Sequence, residues 1–368
     1  MLTTEIAEMI VKETSARLNR NVNIMSSKGI IIASCDPSRL YHMHEGALEV
    51  LQTKQPFTIP TDHEGKWKGA QSGINLPIIF DEKIVGVIGI TGDPEEMRDF
   101  GGLVKMTTEL LIKQAYMATQ AEWQQRTKEM IIENLLKEDP AMEHIERRLN
   151  LLHIKLAPPY HTLVIQLEDR SLSDTIILQQ LEKAAGAAGC LIGFVNTNRL
   201  CIALSGMKDE IVHKRIEAIY QVLKFLKLTF RLAFSTLYAD LQMFHRSYED
   251  CSLALEISNS NQEVVSFAEL EAKALIYQTE TAAGTRLLQR VLHRSLRPFI
   301  ETLQVFFEHH LNMQKTADCL HIHRNTLIYR LNKIKEQTGY DPRSFRDALT
   351  LQMAIWLLEK KEKGAHIS

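Results

Sequence analysis

Apolar residues at Ile6, Met9, Ile10 and Leu18 recur near the period of a helix, after which the period changes. Val22 to Met25 and the β-branched run Ile30 to Ile32, separated by Ser27-Lys28-Gly29, predict a hairpin. A polar, histidine-rich stretch follows. Beyond it, Ile74 to Phe80 and Ile84 to Ile90 flank Asp81-Glu82-Lys83 and predict a second hairpin with nearly continuous apolar strands. Helix, hairpin, irregular middle, hairpin, helix is the layout of a small antiparallel α+β sensor. From about Leu103 to Leu152 the pattern is helical and almost free of breakers, with Leu103, Met106, Leu110, Ile112, Met130, Ile131 and Leu135 apolar. Glu122, Arg126, Lys128 and Glu129 interleave with it, as on a linker helix exposed along part of its length or paired with a second subunit.

A second α/β block reads as strand Thr162 to Leu167, helix Thr175 to Ala188, strands Leu191 to Val195 and Leu200 to Leu204, helix Glu210 to Leu226, strand Phe230 to Ser235 and helix Leu241 to Ser258. Its order, β-α-β-β-α-β-α, resembles the ferredoxin-like core used by nucleotide cyclases. A cyclase of the GGDEF type needs a hairpin with two glycines, so that backbone amides approach phosphate, and acids that hold Mg²⁺. Here that hairpin is Val195-Asn-Thr-Asn-Arg199, which has neither, so a degenerate, non-catalytic domain serving as spacer or dimer contact is expected. No Walker sequence, GxSxG elbow or HExxH appears. After Ser260 the pattern is helical to the end, and Pro298 marks the last module.

The 368 residues suit two or three domains, and 45% hydrophobic with 24% charged residues is ordinary globular composition. Met1 to Ser15 carries Glu5, Glu8 and Glu13 and does not read as a signal peptide, and no apolar run approaches the ~20 residues that span a bilayer. Five cysteines without a CxxC pair fit reduced core thiols in the cytoplasm, and no metal or cofactor is expected. The net charge of −2 hides a basic segment, because Asn312 to Arg346 carries seven Lys/Arg against three acids.

That segment holds the main chemical signal. Ile300, Leu303, Phe307 and Leu311 make an apolar stripe, and Asn312 is placed to cap a short helix with Ala317 and Leu320 inward. After the turn His321-Ile322, a helix from about His323 points Leu327, Leu331 and Ile334 inward and Arg324, Asn325, Ile328, Tyr329, Asn332 and Lys333 outward. Arg324 can bond two acceptors on guanine, Asn325 can bond adenine, and Thr326 or Tyr329 can reach phosphate. Lys315 and Lys333 fall nearer the DNA backbone, and Thr316, His323 and Arg330 complete the expected contact set. The bland alternative is a helical hairpin with a solvated polar face. His321 stands where many such turns prefer glycine.

The run from Lys315 to Leu331 resembles the C-terminal helix-turn-helix of the PucR and carbohydrate diacid regulator families, where histidine in the turn is familiar. Asn21-Val-Asn-Ile-Met, His44-Glu-Gly-Ala-Leu, Gly73-Ile-Asn-Leu-Pro and Val85-Gly-Val-Ile-Gly-Ile-Thr-Gly-Asp-Pro resemble the sugar diacid recognition domain of those regulators. The fold class expected is therefore multidomain α+β: a PAS/Cache-like sensor at 1–135, a degenerate GGDEF-like domain at 136–285 and an all-α helix-turn-helix domain at 296–362. The resemblance implies a bacterial activator that answers a small acid such as glucarate, galactarate or glycerate. It further implies a homodimer on a double-stranded operator, acting with RNA polymerase and not at a membrane.

Residues 39–75 gather Arg39, His42, His44, His63, Lys66 and Lys68 with Gln71, Ser72 and Asn75. Carboxylates call for cationic or N–H donors and hydroxyls for amides, so Arg39, His44, Gln71 and Asn75 are the candidate effector ligands. Two rivals remain at this level: an enzyme, either a divergent nucleotide cyclase or a hydrolase of the acid, and a signalling module whose helix-turn-helix binds protein.

Overall fold

The computed structural model describes residues 2–62, 66–68, 70–169, 171–186, 189–292 and 294–367. Two compact units divide at residue 126, the first being Met1–Arg126 and the second Thr127–Ser368.

In the first unit, helix α1 (Thr4–Leu18) starts where the Thr3 hydroxyl accepts the Ile6 N–H and ends at Asn19 in the left-handed region, φ 51°. Strands β1 (Val22–Ser26) and β2 (Ile31–Ser34) form the first hairpin. The stretch expected to be irregular instead contains helix α2 (Glu45–Thr53) and strand β3 (Phe57–Ile59). Nine and three residues are too short for a periodic signal to stand out in a polar context. Strands β4 (Gly73–Phe80) and β5 (Lys83–Thr91) meet at a tight turn whose two central residues, Asp81 and Glu82, take φ of 52° and 59°. That is the primed geometry matching the twist of a hairpin.

The five antiparallel strands lie in the order β2-β1-β5-β4-β3. One face carries Ile24, Ile74, Leu76, Ile88 and Ile90 against Ile10 of α1 and Val104 and Ile112 of α3 (Pro94–Leu135). The other carries Met25, Ile31 and Val87 against Ala47 and Val50 of α2. A sheet covered on both faces explains why β4 and β5 read as nearly unbroken apolar runs. Helix α3 is 42 residues long and continues from the first unit into the second.

The second unit opens with the end of α3 and α4 (Met142–Leu151), then β6 (Tyr160–Leu167), α5 (Asp174–Ala185), β7 (Cys190–Asn196), β8 (Arg199–Ser205), α6 (Asp209–Phe225), β9 (Phe230–Phe234) and α7 (Phe244–Ile257). The expected α5 terminus, Ala188, lies outside the described residues; the helix ends at Ala185, before Gly186 at φ 85°. The order β9-β6-β8-β7 is the ferredoxin-like arrangement of a β-α-β-β-α-β unit. Contrary to the all-helical reading after Ser260, a short β10 (Val264–Ser266) extends this sheet in parallel beside β9. Its three residues carry no pattern of their own, and pairing with an existing edge creates the strand. Helices α5 and α6 cover one face of the sheet. Ile131, Ile132 and Leu135 of α3, with α4 and α7, cover the other.

Further helices follow: α8 (Glu271–Gln278), α9 (Thr281–Val291), α10 (Ile300–Glu308), α11 (Met313–Cys319), α12 (Arg324–Thr338) and α13 (Phe345–Ile367). All five cysteines are free; Cys190, Cys201 and Cys251 are buried, but Cys35 and Cys319 are exposed and so are not the core thiols expected. Among the described residues no helix is long and apolar enough to cross a membrane, and no group of three or more His, Cys, Asp or Glu is placed to hold a metal.

Candidate functional site

The helix-turn-helix is assembled by caps and a small core. The Asn312 Oδ1 accepts the backbone N–H groups of Gln314 and Lys315, both at 3.0 Å, and so starts α11. His321, in the turn, adopts the left-handed region at φ 53°, a conformation histidine enters more readily than most residues, which explains how the turn dispenses with glycine. His323 then caps α12, its Nδ1 accepting the Asn325 N–H at 3.2 Å. Leu327, Leu331 and Ile334 are buried with Ala317, with Leu303 and Phe306 of α10 and with Leu351 and Ile355 of α13.

This packing leaves Arg324, Asn325 and Thr326 exposed on the first turn of α12, with Tyr329 exposed one turn on and Lys315 exposed on α11. Lys333 is half-buried beside them, bonded to Glu336 at 2.7 Å with its ammonium 5.9 Å from the Tyr329 ring. Asn332 accepts a hydrogen bond from Arg343 at 3.0 Å, and the same guanidinium holds the Asp341 carboxyl well below the usual carboxylate range. Two expected contacts fall elsewhere. Thr316 is fully buried and its hydroxyl donates to the Asn312 carbonyl at 2.7 Å, so it cannot reach a phosphate. Arg330 is half-buried and donates to the Thr302 hydroxyl at 3.0 Å, fastening α12 to α10. Ile328, read as outward, is half-buried.

In the first unit the four candidate effector ligands come together on the α2 face of the sheet. His44 is the N-cap of α2: its Nδ1 accepts the Ala47 N–H at 3.2 Å, which fixes the neutral ring's proton on Nε2. Burial, reinforced by the nearby Arg39 charge, pushes the His44 pKa down to about 4. Arg39 is half-buried and donates to the Gln71 side-chain oxygen at 3.4 Å, which also accepts from Thr91. Asn75 is buried and its Oδ1 has no hydrogen-bond partner. Two glycines make room for that amide: a Cβ on Gly46 would lie 3.0 Å from its nitrogen, and one on Gly89 would lie 2.8 Å from its oxygen.

The register shows what the sequence reading missed. Ser34 pairs with Asn23, Asn23 with Gly89 and Gly89 with Asn75, so one row across a buried face is polar. Ser34 donates to Asn23 at 2.6 Å. The available signal was an asparagine at an inward position of each of two apolar strands. His42, Lys66 and Lys68 are exposed, Ser72 is tied to backbone carbonyls, and His63 lies outside the described residues.

In the middle domain the hairpin tip standing in for a cyclase signature is tied down by neutral groups. Arg199 donates to Gln166 at 2.9 Å, and the Gln166 amide bonds the Asn198 carbonyl at 3.3 Å.

Comparison with known proteins follows the same division. Residues 2–135 match the sugar diacid recognition family, residues 137–257 the GGDEF-like domain and residues 299–357 the PucR C-terminal helix-turn-helix domain. The carbohydrate diacid regulator of Escherichia coli (strain K12) is 29% identical, over 98% of this chain and 99% of its own length. The uncharacterized protein YsfB of Bacillus subtilis (strain 168) is 28% identical, over 97% of this chain and 98% of its own. A solved regulator of polyketide synthase expression from Bifidobacterium adolescentis covers 64% of this chain and 91% of itself at 18% identity, but its TM-score of 0.31 is too low to bear on the fold. Three matched domains in this order, with relatives alike from end to end, show a DNA-binding transcription regulator similar along its whole length to the carbohydrate diacid regulator, with a PucR-type helix-turn-helix.

Proposed function

We propose that this regulator is an activator of genes for the uptake or breakdown of sugar diacids or related small hydroxy acids, and that such an acid is its effector. The exposed face of α12 carries the DNA side of the reading: Arg324, Asn325, Thr326 and Tyr329 lie together at the N-terminal end of a capped helix whose opposite side is core. Lys315, His323 and Lys333 flank that face. The effector binds at Arg39, His44, Gln71 and Asn75, with the carboxylate on Arg39 and hydroxyls on the amides. The unsatisfied Asn75 oxygen supports this, because a buried polar atom without a partner costs about 1–3 kcal/mol unless a ligand pairs with it.

The sensor is PAS/Cache-like and occupies 1–135, a reading supported by a five-stranded antiparallel sheet with helices on both faces. The GGDEF-like domain at 136–285 is not an enzyme, since its hairpin tip carries amides where metal-binding acids are needed. The helix-turn-helix domain is 296–362. The protein works in the cytoplasm as a homodimer, with RNA polymerase as a further partner. Acid binding shifts the preference of the dimer for its operator.

The test is a fluorescence-anisotropy titration of the full chain onto its own upstream duplex and a scrambled one, with and without glucarate, galactarate and glycerate. Specific binding altered by one of these acids is expected. Specific binding that no acid alters refutes the effector reading, and equal binding to both duplexes refutes a local operator.

A further inference from the structure

Along α3 the first unit leaves a file of apolar side chains in solvent. Phe100, Leu103, Met106, Leu110 and Met117 are 51, 59, 52, 58 and 59% exposed. Leu103, Met106, Leu110 and Met117 keep the spacing of core positions in a heptad, with Lys113 at the position between the last two. A different side of the same helix is already satisfied, because Val104, Thr108 and Ile112 are buried. The helix therefore has two apolar sides within these turns, and only one is answered inside the unit.

The file runs between two hollows. One, of about 290 Å³, lies between α1 and α3 and is bordered by Leu18, Phe100 and Leu103. The other, of about 600 Å³, is bordered by Phe80, Met106 and Leu110 beside the β4–β5 turn. A ridge with a hollow on each side is complementary to itself under a two-fold axis. Half-exposed side chains of this size each offer on the order of 100 Å². Five of them, doubled by the axis, give on the order of 1,000 Å² of total buried surface, where specific interfaces begin. A scattering of single surface apolar residues would need no explanation, but a contiguous file does. A second copy of this chain is the one occupant that brings both the ridge and the hollows.

We propose that Leu103, Met106, Leu110 and Met117 of α3 form the seam of a parallel, in-register pair with the same helix of a second copy. This rests on the homodimer reading above and gives it a location. Lys113 is the register pin: one charged residue at a core position lowers stability but penalises slipped and higher-order pairings. Parallel alignment is required because the continuing helices must serve two recognition helices on one duplex.

Leu103→Glu with Leu110→Glu in the full chain tests the seam by light scattering. The expected result is conversion from dimer to monomer with an unchanged circular dichroism spectrum, since both positions are exposed. Single Leu103→Cys and Met117→Cys chains, each with Cys35 and Cys319 changed to Ser, should each cross-link to themselves on mild oxidation. Cross-linking only when the two variants are mixed would mean an antiparallel pair and overturn the proposal. A wild-type monomer would overturn the homodimer reading as well. A dimer that survives both glutamates, and that neither cysteine cross-links, would overturn the seam while leaving the homodimer standing.

Discussion

His44 caps α2 only while its Nδ1 is free to accept a hydrogen bond, so its protonation state is part of the fold. The native imidazole titrates near 4, below the ordinary 6.5, and the unfolded chain therefore binds more protons between those values. Stability contributed by this group is complete above about pH 6.5 and is lost as pH falls toward 4, on the order of 3 kcal/mol in all. Urea titrations across that window should show the loss, and His44→Asn, which keeps a capping oxygen without the titration, should flatten it. Thr316 gives a contrasting test. Thr316→Val should lower stability by about 1 kcal/mol, through the bond lost to Asn312, while leaving the DNA affinity of the folded protein unchanged. Equal weakening on every duplex would show that the hydroxyl reaches phosphate. Gly89→Ala places a methyl 2.8 Å from the Asn75 oxygen, so calorimetry should find weaker acid binding with operator affinity in the absence of acid preserved.

At the scale of the element, α12 divides its work between its two sides. Arg324→Ala should cost roughly 1–3 kcal/mol at the cognate site and relax one base position, whereas Arg330→Ala should lower the melting temperature through the lost Thr302 bond and weaken all sequences alike. Binding measured on a panel of single-base operator variants separates the two. The position of α12 could be read from the chain because the caps agree with three inward residues, Leu327, Leu331 and Ile334. Thr316 and Arg330 could not. In a helix of seven residues the rotation is set by what it packs on, and Arg330 borders the apolar stripe closely enough for its long side chain to turn either way. The same limit hid α2, β3 and β10, whose signals are shorter than a period and whose existence depends on a neighbour to pair with. The polar row through Asn23, Gly89 and Asn75 needed the strand register, which joins residues more than fifty positions apart.

At the scale of the molecule, the helix-turn-helix is held into the second unit by its last helix. Trp356 of α13 packs against the core formed by α7, α8 and β9. Lys363 bonds the Glu256 carbonyl at 2.6 Å, Lys360 the Thr279 carbonyl at 2.9 Å, and Glu359 pairs with Lys273 at 2.6 Å. A fragment of residues 127–368 should therefore melt in one cooperative transition by calorimetry. Residues 296–368 alone should melt at lower temperature, with Trp356 fluorescence shifted toward that of a solvated indole. Two separate transitions in the longer fragment would show instead that the middle and DNA-reading domains fold independently.

The anchoring of α13 bears on how such regulators can be recombined. A DNA-reading head that shares its last helix with the domain before it is not an interchangeable cassette. Exchanging residues from Pro298 onward between relatives would ask a foreign α13 to find partners for a tryptophan and two lysines at once. Joining chains inside α3, upstream of Thr127, keeps every one of those contacts within a single parent. New combinations of effector and operator are thus most readily made by grafting whole sensors, and chimaeras cut in that helix should stay folded where those cut near Pro298 do not.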